Sequence, residues 1–144
     1  MIYTNMTIKA MKLAYEAHHG QVDGSNTPYI FHPLHLAEQM KDEITCTVAL
    51  LHDVVEDTAV TLEELKAEFP PAVTDAVALL THDRVGDYFE YVAKIRNNPI
   101  AKAVKLADLR HNMDHSRNSG MDIPKERLEH WKNKYTKAMQ ILCD

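Results

Sequence analysis

Apolar residues recur along this chain at helical rather than strand spacing, and turn formers cut the pattern into about eight segments. Ile8, Met11, Leu13, Ala14 and Tyr15 give a first helix over about 7–19, ended by Gly20. Residues 21–28 are dense in turn formers and read as a loop. Pro33 sits where a second helix begins, just after His32, and Leu34, Leu36, Ala37 and Met40 carry it to Lys41 or Asp42. A third helix follows over about 44–55. Thr61 with Glu64 has capping-box spacing, which predicts a short helix over 62–68, stopped by Pro70 and Pro71. Further helices are predicted over about 71–81 and 87–97, on either side of a polar turn at 83–86. Asn98 and Pro99 open a long helix with Ile100, Val104, Leu106 and Leu109, and the last begins near Pro124. The expectation is an all-α fold, one domain over 1–144, with the third and seventh helices central.

The third helix breaks its own pattern at its end. The apolar run 47–51 passes directly into His52 and Asp53, then Glu56 and Asp57. At about 100° per helical residue, 52 and 56 share one face and 53 and 57 the adjacent one. Charged side chains are almost never buried unpaired. One imidazole and three carboxylates that continue a buried face therefore call for a compensating cation, most simply a divalent metal.

Composition narrows the function classes. With 45% hydrophobic and 26% charged residues the chain reads as an ordinary soluble protein. The net charge of −5 argues against broad nucleic-acid binding but allows a small anionic substrate on a local basic patch. Cys46 and Cys143 are far apart and have no paired spacing, which points to reduced thiols and a cytoplasmic protein. The N-terminus has no basic segment followed by an apolar run, and runs such as 76–80 are too short to span a bilayer.

Three further places carry chemistry. Asp108 lies on an otherwise apolar helix side, with Asn112 one turn later; an ion pair to Lys105 or Arg110 is the plainer alternative to a ligand role. His32 stands at a loop–helix junction and can point into a cleft, whereas His35 is read as structural. The stretch holding Lys94, Arg96, Lys102, Lys105 and Arg110 contains one acid, whereas 53–68 holds six acids and one lysine. That segregation makes Lys105 a candidate phosphate contact. His32, His52, Asp53 and Asp108 together offer two imidazoles and two carboxylates, a donor set that suits Mn²⁺, Fe²⁺ or Zn²⁺. A six-coordinate ion on four protein donors keeps positions open for water and substrate, and Glu56 and Asp57 are placed to handle the water's proton.

At 17–21, 28–33, 51–58, 105–108 and 111–112 the sequence resembles the HD-domain phosphohydrolases, in particular the hydrolase domain of RelA/SpoT-type proteins and the small alarmone hydrolases. The motifs occur in the family's order and at compatible spacing. The resemblance implies an all-helical HD bundle and one Mn²⁺ held by His32, His52, Asp53 and Asp108. It implies that Glu56 and Asp57 form the catalytic pair and that Asn112, with Lys105 nearby, contacts the nucleotide. The implied reaction releases pyrophosphate from the 3′ position of ppGpp or pppGpp, with no synthetase activity. Four positions depart from the family: Asp23 and Gly24 replace a basic pair, of which an arginine helps hold the base, Asn26 a glycine, and His115 a threonine. Asp23 and Gly24 motivate one alternative, an HD phosphohydrolase acting on another nucleotide phosphate; a second, a non-catalytic, metal-dependent nucleotide sensor, is opposed by the complete ligand and acid/base set.

Overall fold

The computed structural model describes residues 1–144. Its elements are helices: α1 (Asn5–Ala17), α2 (Phe31–Glu38), α3 (Glu43–Leu51), α4 (Val54–Asp57), α5 (Leu62–Glu68), α6 (Pro71–Leu80), α7 (Tyr88–Ile95), α8 (Pro99–Asn112), a 3₁₀ turn (His115–Asn118) and α9 (Lys125–Cys143). The only β pairing is an isolated bridge between Val22 and Pro28 inside the α1–α2 loop. The fold is all-α, as the apolar spacing predicts.

Local chemistry sets most helix starts. The Thr4 hydroxyl accepts from the Thr7 amide while Thr7 caps back onto the Thr4 amide, so α1 begins two residues before its apolar pattern does. Asp42, Thr61, Asp87 and Asn98 cap α3, α5, α7 and α8 in the same manner, each accepting an amide that has no intrahelical partner. Gly20 lies at φ +83°, a conformation that an L side chain adopts only with strain.

Two boundaries differ from the sequence expectation. Helix α2 starts at Phe31, not Pro33, because a proline in the first turn loses an amide that had no helical acceptor. His32 is therefore held in a helical turn, not at a loop junction. The expected helix over 44–55 is divided: α3 ends at Leu51, Asp53 sits at φ −107°, ψ 1°, and α4 is a single turn. The ring of His52 takes the Ala49 carbonyl at 2.7 Å, occupying an acceptor in the last turn of α3. Residues 52–57 thus share one site through a kinked chain, not through the faces of one straight helix.

Helix α3 lies at the centre, packed on α1, α2, α6 and α8, and is buried continuously from Thr45 to Leu51. Helix α8 touches α2, α3, α6, α7 and α9. One apolar cluster joins Ala10 of α1 to Leu142 of α9 through Leu36, Leu50, Val77 and Leu109. Each such leucine contributes about 1.5–3 kcal/mol by leaving water. This packing fixes the ends of α2 and α3 and the middle of α8, the three places from which the predicted metal donors project. Cys46 is buried and Cys143 exposed, both as free thiols. No helix is long and apolar enough to cross a membrane.

Candidate active site

The four predicted donors converge. His32 Nε2 lies 2.9 Å from Asp108 Oδ1, and His52 Nε2 lies 3.0 Å from Asp53 Oδ2 and 3.7 Å from Asp108 Oδ1. Ligand atoms of His32, His52 and Asp53 all fall within 4.8 Å of one another. Donors that share one ion at about 2.1 Å stand roughly 3–4.3 Å apart, so the spacing suits a single small cation. His32, His52 and Asp108 are buried.

A hydrogen bond to a carbonyl fixes the tautomer of His52 when its ring is neutral. His52 Nδ1–H donates to Ala49 O, which leaves the lone pair on Nε2. That Nε2 is buried and has no hydrogen bond, because the Asp53 oxygen near it lies off the donor line. An orphaned buried imidazole nitrogen beside two carboxylates fits a metal ligand. On the other ligand, His32 Nδ1 lies 2.7 Å from His111 Nδ1, the two rings stacked 7° from parallel. Burial, followed by the charges of Arg117, His32 and His35, lowers the His111 pKa to about 4, so this ring is neutral. His32 Nε2 in turn faces Asp108 Oδ1 at 2.9 Å. The structural reading of His35 agrees with its place: it stacks on the far side of His111 at 4.1 Å.

Burial and neighbouring charges act together on the same cluster. Burial disfavours the charged forms of Asp53 and Asp108, but cationic neighbours outweigh it. His52 and a hydrogen bond from the Tyr29 hydroxyl bring Asp53 to about 2. Lys105 and the two histidines hold Asp108 well below the usual carboxylate range. Burial likewise opposes a charged His52, yet Asp53 and Asp108 push its pKa well above the ordinary value. The pocket thus favours positive charge where the donor atoms meet.

Glu56 and Asp57 face this cluster, with carboxylate oxygens of Asp53, Glu56 and Asp57 within 4.8 Å of one another. Burial first, and then the Asp53 charge, raises both pKa values above the ordinary carboxylate range. The 81–87 loop holds them: the His82 amide donates to Glu56 Oε1 at 2.7 Å, and Arg84 Nη2 to Asp57 Oδ1 at 2.7 Å. Gln21 donates to the Asp57 carbonyl from the opposite side.

Two expected substrate contacts sit on the ligand side. Lys105 is 9% exposed, and its ammonium donates to Asp108 Oδ2 at 2.9 Å. Asn112 Nδ2 donates to Asp108 Oδ1 at 3.2 Å. Both line the cavity of about 470 Å³ that opens above the donors, but each already holds Asp108. The basic stretch does not form a phosphate patch: of Lys94, Arg96, Lys102, Lys105 and Arg110, Lys105 alone lines this cavity. Its cations are Arg84, Lys105, Arg117 and Lys134, and the sequence pattern points to one of these four. The others arrive from a loop, the 3₁₀ turn and α9, and no local spacing marks them. Tyr29, by contrast, lies three residues before His32 in the same motif.

Asp23 has a different place from the one its charge suggests. Its Oδ1 accepts from the Ser25 and Thr27 amides, and its Oδ2 from Arg117 at 2.9 Å. Burial raises its pKa, but these donors reverse the shift and lower it. Asp23 is therefore a paired clasp between the α1–α2 loop and the 3₁₀ turn, not an uncompensated charge facing the cavity.

The fold and this His/Asp donor set define the class, and the sequence comparison agrees. The chain belongs to the HD-domain family, whose profile, described as HD domain, matches residues 10–133. It is 36% identical over 124 residues to the GTP pyrophosphokinase of Streptomyces coelicolor, covering 74% of this chain and 15% of that protein. It is 34% identical over 116 residues to the guanosine-3′,5′-bis(diphosphate) 3′-pyrophosphohydrolase of Haemophilus influenzae, covering 70% and 17%. The chain thus matches only about 15% of the length of these curated relatives. A solved structure described as a metazoan orthologue of SpoT that hydrolyses ppGpp is similar over 99% of this chain and 88% of that one, with a TM-score of 0.81 and 26% identity.

Proposed function

We propose that this chain is a metal-dependent phosphohydrolase that removes the 3′-pyrophosphate of a guanosine 3′,5′-bis(diphosphate). The observation that carries this reading is the meeting of His32, His52, Asp53 and Asp108 beneath a cavity that Glu56 and Asp57 also face. The names of the relatives support the substrate, and residues 1–144 act as one HD unit because a single core cluster runs through them. Mn²⁺ is the ion we assign, on the mixed nitrogen and oxygen donors. Nucleotide is the partner; the free thiols fit a cytoplasmic setting.

When bound, the ion polarises a phosphoryl oxygen and makes water more acidic. The residues of the chain do the rest. Glu56, fixed by the His82 amide and with a raised pKa, takes the proton of the attacking water. Asp57, held by Arg84 and Gln21, orients that water. The water oxygen bonds to the phosphorus on the ribose 3′ oxygen, the bond to that oxygen breaks, and Glu56 returns its proton to the 3′ oxygen. Lys105 and Asn112 keep Asp108 in register, and the free edge of Asn112 touches the nucleotide. Phosphorus NMR of the Mn²⁺-loaded protein with ppGpp tests this reading: pyrophosphate and GDP are expected, and orthophosphate alone or no turnover counts against it. A different nucleotide phosphate is the second reading, favoured by the commitment of Asp23 to Arg117. A panel in which another nucleotide turns over much faster would select it.

A further inference from the structure

Four cations line the cavity, and three of them have carboxylate partners. Arg84 pairs with Asp57 at 2.7 Å, Lys105 with Asp108 at 2.9 Å, and Arg117 with Asp23 at 2.9 Å. Lys134 has none. Its ammonium lies 4.3 Å from the centre of the Tyr88 ring and 5.8 Å from that of Tyr135. Burial, and after it the charge of Lys105, pulls its pKa down, and no acid acts on it in the other direction. The other lysines of α9, at 125, 132 and 137, are exposed, whereas Lys134 is half-buried and turned into the cavity.

Cation–π contact offsets part of the cost of desolvating an ammonium, but it leaves the donor hydrogens without acceptors. A half-buried, unpaired cation on a cavity wall is a receptor for an anion that arrives with the ligand. None of the proposed metal donors pairs with it. The Tyr88 ring also carries Lys105, at 5.6 Å, on the side where Lys105 meets Asp108. Lys134 and Lys105 thus both contact Tyr88, but only Lys105 is tied to the ligand cluster.

We propose that Lys134 is the receptor for a second anionic group of the substrate, a phosphate remote from the one that reacts, and so selects nucleotides phosphorylated at both ends. This rests on the nucleotide-hydrolase reading above and adds a determinant of substrate choice to it. An anion at Lys134 makes a charge-assisted hydrogen bond without breaking any internal ion pair. The other three cations are each already partly neutralised by a carboxylate.

The test compares guanosine 3′,5′-bis(diphosphate) with guanosine 3′-diphosphate that has a free 5′ hydroxyl, on Mn²⁺-loaded wild type, Lys134→Met and Lys134→Arg. Loss of one charge-assisted contact predicts that Lys134→Met lowers the preference for the two-ended nucleotide by about 10- to 100-fold. The loss is expected in KM rather than kcat, and Lys134→Arg is expected to restore most of it. Equal losses on both nucleotides, or none on either, overturn the proposal while leaving the reaction in place. Equilibrium binding of the two nucleotides to the same proteins separates the two readings. If the wild type hydrolyses neither, yet Lys134→Met weakens binding of the two-ended nucleotide alone, the reaction reading fails and the anion site stands. If binding does not discriminate either, Lys134 is not the receptor.

Discussion

The floor of the cavity and its rim are built on different principles. On the floor, His32, His52 and Asp108 are buried, project from α2, the end of α3 and α8, and are positioned by the core itself. On the rim, Asp23 of the α1–α2 loop and Arg117 of the 3₁₀ turn hold each other, and Arg84 of the 81–87 loop holds Asp57 of α4. The contrast suggests a division of labour. A reaction centre needs donors fixed to fractions of an ångström, which close-packed helices provide. A recognition surface can change at the level of single loop residues without disturbing the core. Asp23, where the family resemblance implies a basic residue, illustrates this: it is paired with Arg117 and leaves the core untouched.

Floor substitutions should have the largest consequences. Asp108→Ala leaves Lys105 as a buried unpaired charge, with an expected cost of about 3–5 kcal/mol. Denaturant unfolding of the metal-free protein measures it, and a cost no larger than that of a rim variant would erase the distinction between floor and rim. Glu56→Gln combined with Asp57→Asn sharpens the comparison by separating chemistry from architecture. Turnover should fall by about 10²- to 10⁴-fold, while circular dichroism and Mn²⁺ retention stay as in the parent. His111→Ala tests whether the stacked pair behind His32 belongs to the floor. Losing the hydrogen-bond partner of a proposed ligand's second nitrogen should weaken Mn²⁺ binding about 10- to 100-fold by calorimetry, and unchanged affinity would make the stack packing alone.

The smallest effect is expected on the rim. Asp23→Asn should cost no more than about 1 kcal/mol, as for other partly exposed pairs. Because the folded state holds the Asp23 carboxyl below its ordinary value of 3.8, its contribution is present above that pH. It fades as pH falls through the lowered value. Comparing the stability of Asp23→Asn and wild type across that range should show the difference narrowing toward acid; a difference that grows would reverse the sign of the linkage.

The same division explains what the sequence made legible. The proposed donors sit in short motifs beside apolar runs, so His32, His52, Asp53 and Asp108, which the fold brings together, stand out in the sequence along with the core helices around them. The helix caps at Asp42, Thr61 and Asn98 follow from local hydrogen-bonding chemistry. The kink at His52 and Asp53 was hidden because it depends on where a side chain finds the Ala49 carbonyl, which residue periodicity does not encode. The clasp between Asp23 and Arg117 joins positions 94 residues apart. Lys134 reads as one more lysine on a polar helix until α9 is docked and its neighbours Trp131 and Tyr135 line the cavity with it.

Pulsed electron paramagnetic resonance of the Mn²⁺-loaded protein tests the central claim, that the floor holds one divalent ion between two imidazoles and two carboxylates, most directly. The account predicts one ion per chain with nitrogen couplings from two histidines, one of which is lost in His52→Ala. A spectrum without histidine nitrogen coupling, or one that His52→Ala leaves unchanged, would contradict it.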